Sequence, residues 1–164
     1  MVNSHKAKSF TLIEILIVTS LIIVLSGTSL ALFSSYRDEK TLDNQITLFR
    51  STLELAINKA TAGDVSLCSS ASSAHVTGYS VMVNNTDIIL LPGCDTTPTP
   101  IRYTIPSNIT YVTPSFSLQF DYQNYQGETR KFPIKNTDTG KCKFVQIDET
   151  GVITSGDYTY TPCP

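Results

Sequence analysis

From Phe10 to Phe33 almost every position is apolar or small, and Glu14 is the single charge in that run. A helix needs ~20 such residues to cross a bilayer, so the run predicts a membrane-spanning helix. After Tyr36 the pattern changes. Leu42, Ile46, Phe49, Leu53, Ile57 and Ala60 recur in steps of three and four, with Asp43, Arg50, Glu54 and Lys59 off the stripe. That period marks an amphipathic helix with one face for a core. No proline occurs before Pro92, and Gly63 suits a helix end. The expectation is one helix from about Phe10 to Thr61, its first half in lipid and its second half packed on a domain.

Beyond Val65 the period shortens to two. Phe116, Leu118, Phe120 and Tyr122 alternate with polar residues, as do shorter segments around them. The predicted strands are Val65–Cys68, Tyr79–Val83, Asp87–Leu91, Ile101–Ile105, Ile109–Val112, Phe116–Tyr122, Thr129–Ile134, Lys143–Asp148 and Val152–Ser155. Asn84-Asn85, Gln126-Gly127 and Glu149-Thr150-Gly151 fit hairpin turns, while Pro92-Gly93 and the Thr/Pro stretch to Pro100 read as surface loop. The fold class expected is α+β: a long N-terminal helix packed on a C-terminal antiparallel sheet. The division is leader 1–9, apolar helix 10–36, amphipathic helix 37–62 and β domain 63–164.

Composition adds compartment. In a chain of 164 residues with net charge −2, the balance points to neither nucleic acid nor an anionic membrane. Cys68, Cys94, Cys142 and Cys163 all follow the apolar run. If that run places them outside the cytoplasm, they form two disulfides. Three pairings are open, and the sequence-local one, Cys68–Cys94 with Cys142–Cys163, is the expectation. A zinc site is the rival, but there is no Cys-x-x-Cys and His75 is the only histidine past the run.

The amino end carries more. Lys6 and Lys8 precede the apolar run, and a positive flank stays cytoplasmic. An ordinary secretory signal has a shorter apolar core and a small-residue cleavage site after it, neither of which is present. The order is basic leader, small Ser9, Phe10, then Glu14 at the fifth position after the junction, then apolar helix. It resembles the signal of type IV pilins and pseudopilins. Arg50…Leu53…Ala56-Ile57, Val65-Ser66-Leu67-Cys68, Gly78-Tyr79-Ser80-Val81 and Lys143 to Ile153 are further similar to the H-type minor pseudopilin and FimT-like pilins.

The resemblance implies a pilin fold and an inner-membrane precursor crossing once, its leader in the cytoplasm and its C-terminal domain outside. It implies cutting by prepilin peptidase between Ser9 and Phe10, N-methylation of Phe10, and delivery by an assembly platform into a filament of like subunits. The family's usual residue before the cut is Gly, and Ser9 departs from it. Glu14 would then neutralise the new Phe10 ammonium of a neighbouring subunit, since unpaired charges in lipid are expensive. Its alternative role is local, because carboxylates are favoured near helix N-termini.

No catalytic constellation or cofactor motif is visible, so neither enzyme activity nor a cofactor is expected. Ser69 to Ser73 form a serine-rich loop without a base, and Asp148-Glu149 a solvated turn. Arg130, Lys131, Lys135, Lys141 and Lys143 make a basic cluster offset only by Asp138, with Tyr122 and Tyr125 nearby. That cluster could contact the phosphates of DNA, as in a pilin serving DNA uptake. A DNA-binding pilin, and a single-pass membrane protein that never assembles, are the alternatives to a structural subunit.

Overall fold

In the computed structural model the described residues are 11–68, 75–95, 97–122, 125, 127–158 and 163, with the side chains of 27–35 outside that set. The chain falls into two compact units, Met1–Arg37 and Asp38–Pro164. Helix α1, Leu12–Ala62, contributes to both. No proline interrupts it. It ends where Gly63, at φ +59°, turns the chain left-handed. Gly63 N–H donates to Ala60 O and Asp64 N–H to Lys59 O, a paired closure of the last carbonyls.

The unit Asp38–Pro164 is α+β, with two antiparallel four-stranded sheets. Its strands are β1 Val76–Val83, β2 Asp87–Cys94, β3 Ile101–Thr104, β4 Ile109–Tyr111, β5 Phe116–Phe120, β6 Arg130–Asn136, β7 Cys142–Ile147 and β8 Ile153–Asp157. The first sheet has the order β3-β2-β1-β5 and the second β4-β6-β7-β8.

One core serves both sheets. Leu42, Ile46, Phe49, Leu53, Ala56 and Ala60 of α1 are buried with Tyr79, Val81, Ile88, Leu90, Leu118 and Phe120 of the first sheet. Tyr111, Phe132, Ile134, Val145 and Ile147 join them from the second. Phe49 is the aromatic hub, meeting Tyr111, Phe132 and Phe116 edge-on at 5.4, 5.7 and 6.0 Å. Gln45 donates to the buried Tyr111 hydroxyl at 3.1 Å, and burial pushes that phenol's pKa up.

Four expectations need correction. A single sheet was expected, but β3 and β4 part: a turn in which Ile109 N–H donates to Pro106 O sends β4 to β6. Val65–Cys68 is not a strand. Cys68 N–H closes a turn on Val65 O, and only Cys68 bridges, to Pro98. Pro92-Gly93 is not a loop but part of β2, opposite Tyr79 and Gly78. β3 pairs only with Asp87 to Leu90, so Pro92 sits where one flank of β2 needs no donor. Gln126 of the expected Gln126-Gly127 turn lies outside the described residues, and β5 and β6 belong to different sheets, so they form no hairpin. Asn84-Asn85 and Glu149-Thr150-Gly151 do join hairpin strands.

Candidate functional site

At the amino end, Ser9 and Phe10 lie outside the described residues. Thr11 caps α1: its Oγ1 accepts from Glu14 N–H at 3.3 Å, and its carbonyl receives the same N–H at 3.1 Å. Thr11-Leu-Ile-Glu14 has the spacing of a capping box, which fits a capping role for Thr11. Glu14 lies in the first turn with its side chain exposed. Its neighbours Leu12, Ile13 and Ile15 through Val18, with Leu21 through Leu25, are 50% to 82% exposed. The hydroxyls among them are satisfied within the helix. Thr19 donates to Ile15 O at 2.9 Å, and Ser20 to Ile17 O at 2.8 Å. Among the described residues no helix is long and apolar enough to cross a membrane; the described side chains cover the apolar run only from Thr11 to Ser26.

Strand register splits the basic cluster. Lys131 and Lys135 stand opposite Gln146 and Cys142, while Lys143 stands opposite Ile134 on the other, core-facing side. Lys131 Nζ lies 3.7 Å from the centre of the Phe144 ring and 4.6 Å from that of Tyr158. Lys141 pairs with Glu39 at 2.8 Å. Lys143 bonds Asp43 and pairs with Asp157 at 3.2 Å, and the Asp43 bond raises its pKa. Arg130 is exposed at the start of β6, on the rim of an open groove of about 560 Å³ that also includes Gly78, Gly93 and Gln119. Among the described residues no His, Lys or Cys lines that groove. Tyr125 is buried against Phe120 at 5.7 Å, whereas Tyr122 is 70% exposed.

Two disulfides form, Cys68–Cys94 and Cys142–Cys163, with Cα separations of 6.1 and 6.0 Å. The first ties the segment after α1 to the end of β2, and the second ties the chain end to β7. Among the described residues no group of three His, Cys, Asp or Glu side chains gathers to hold a metal. The Ser69 to Ser73 run lies outside the described residues. Asp148 Oδ1 accepts from Thr150 and Val152 N–H, each at 2.9 Å, and so serves as the acceptor of its own turn.

Sequence reasoning did not find the polar knot at the helix end. Asp64 takes Lys59 Nζ on one oxygen and Ser66 N–H on the other at 2.7 Å. Tyr79 OH donates to Asp64 O, and Lys59 also reaches Ser66 Oγ at 3.1 Å. The Lys59 hydrogen bond is the main reason Asp64 is lowered to about 2. Lys59, Asp64, Ser66 and Tyr79 thus close the helix end as one hydrogen-bonded group. Comparison of the chain with protein-family models, with curated proteins and with solved structures gives no match in any of the three.

Proposed function

We propose that this chain is a structural subunit, of the minor kind, in a type IV pilus or a type II secretion pseudopilus. The observation that carries the reading is the contrast along α1. Its Leu12 to Leu25 side chains lie open while the Leu42 to Ala60 stripe is buried. An apolar surface of that size, with its hydroxyls internally bonded, suits lipid or the same segment of other copies. Glu14 is its one ionisable side chain.

On this reading prepilin peptidase cuts between Ser9 and Phe10 and methylates the new amine. The precursor waits in the inner membrane with its β domain outside, and the assembly platform draws it into the filament. Cutting leaves an ammonium on Phe10 in an apolar setting. A neighbour's Glu14 neutralises it, so the charge pair fixes axial register while apolar packing holds the bundle. Before assembly, the helix dipole stabilises the Glu14 carboxylate in its own chain by only ~0.3–1 kcal/mol, less than pairing in lipid offers.

The test is Glu14→Ala in cells that make the filament. The precursor should insert and its N-terminus should begin at methylated Phe10 by mass spectrometry, yet no polymer containing the chain should be recovered. Normal fibres from that variant, or a mature protein that still begins at Met1, would sink the proposal.

A further inference from the structure

The hairpin joining β6 to β7 does more than connect strands. Asn136, the last residue of β6, is fully buried. Its side-chain oxygen accepts Asp138 N–H at 2.9 Å and Thr139 N–H at 3.1 Å, which shapes the turn. Its side-chain nitrogen donates to Asp38 O at 3.0 Å, on α1. Lys141, at the far side of the turn, pairs with Glu39 at 2.8 Å. Lys143, two residues on, bonds Asp43. One short stretch of chain thus grips three successive points of α1, each by a polar contact.

Those three points are the first residues of the unit Asp38–Pro164. Leu42, between Glu39 and Asp43, is also buried in the core, and the next turns of the helix are held there by Ile46, Phe49 and Leu53. Glu39 and Lys141 are about half exposed, and Asp43 is a third exposed, so salt reaches them. The backbone Asp38 carbonyl is an acceptor that needs a donor once it is covered.

We infer that the Asn136–Lys143 hairpin is a salt-sensitive clamp that decides whether the Asp38–Asp43 turn of α1 stays folded onto the β domain or frays. Opening the clamp releases that turn with Leu42, its one core side chain, while Ile46, Phe49 and Leu53 keep the following turns in the core. It does not depend on the filament reading, since every contact lies inside one unit. Asn136 is its hub. Glu39 and Asp43 on the helix face Lys141 and Lys143 on the hairpin, with Asp157 of β8 sharing Lys143 and Lys40 sharing Asp43.

Hydrogen exchange of the full chain in detergent tests it. The variants are Asn136→Asp, which keeps the turn's acceptor oxygen but loses the donor to Asp38, and the double change Lys141→Ala with Lys143→Ala. Amides of residues 38–44 should exchange roughly tenfold faster in both. Amides of 53–60 should be unchanged. In the unaltered chain, raising salt from low to about 0.5 M should speed the 38–44 amides alone. Unchanged exchange at 38–44 would overturn the inference. So would equal acceleration at 53–60, which would make the hairpin an ordinary part of one cooperative core.

Discussion

Asp64 shows how one carboxylate locks a helix end. Folding lowers its pKa from the usual carboxylate range to about 2, chiefly through Lys59. Its stabilisation is therefore fully present above pH ~4 and lost as pH falls through 2. Asp64→Asn should remove that dependence, so urea unfolding of the β domain between pH 6 and 2 should show a flatter acid limb than the parent. An identical slope in the two would mean the Lys59 contact contributes nothing. Gly78 is a steric case. A Cβ there would lie 2.3 Å from Phe120 O across the β1–β5 pairing. No side chain can yield at a backbone oxygen, so Gly78→Ala must push β5 away from β1. The expected loss is ~2–4 kcal/mol, read as a drop in the urea midpoint. Gly63 is different, because nothing lies within 4 Å of its Cβ position and only its left-handed backbone is at stake.

Phe49 joins α1 between Asp38 and Ala62 to both sheets. Phe49 touches aromatic rings from the second sheet and from β5 of the first. Phe49→Ala should cost about 3–5 kcal/mol and lower the thermal midpoint of the β domain. Leu16→Ala, in the exposed stretch, should leave that midpoint where it is; equal effects from both would contradict the burial pattern. The helical stripe was readable because its period is local. Leu42, Ile46, Phe49, Leu53 and Ala60 are buried where the spacing put them, and Ala56 shares the work with half-buried Ile57. Alternation also located β1 through β8 to within a few residues. It did not reveal which strands pair. Nothing in Ile101–Thr104 or Ile109–Tyr111 says that a turn at Pro106 divides two sheets, because pairing is set by distant partners. Pro92 misled for the same reason: whether a proline ends a strand depends on whether a neighbour needs its missing donor. The site shows the same limit. Clustering of Arg130, Lys131, Lys135, Lys141 and Lys143 was visible. Their division between two faces, and the acidic helix residues that take Lys141 and Lys143, needed the register.

The two units differ in where their large apolar side chains lie. Asp38–Pro164 has its own core and two disulfides. Each disulfide spans 21 or 26 residues of sequence and restricts the unfolded chain by ~3 kcal/mol on the chain-entropy account. The described side chains of Met1–Arg37 contribute nothing to that core; their large apolar members stay open. A chain beginning at Asp38 should therefore fold in plain buffer and unfold cooperatively, within a few degrees of the β-domain transition of the full chain in detergent. Among the described residues it would lose no buried core side chain, since the stripe begins at Leu42. The full chain should instead stay with detergent or membrane on phase separation, and reduction should lower the midpoint of both forms alike. A truncated chain that aggregates unfolded would show that the apolar segment is part of the fold. One that folds would show that the apolar segment is carried for contacts outside the chain.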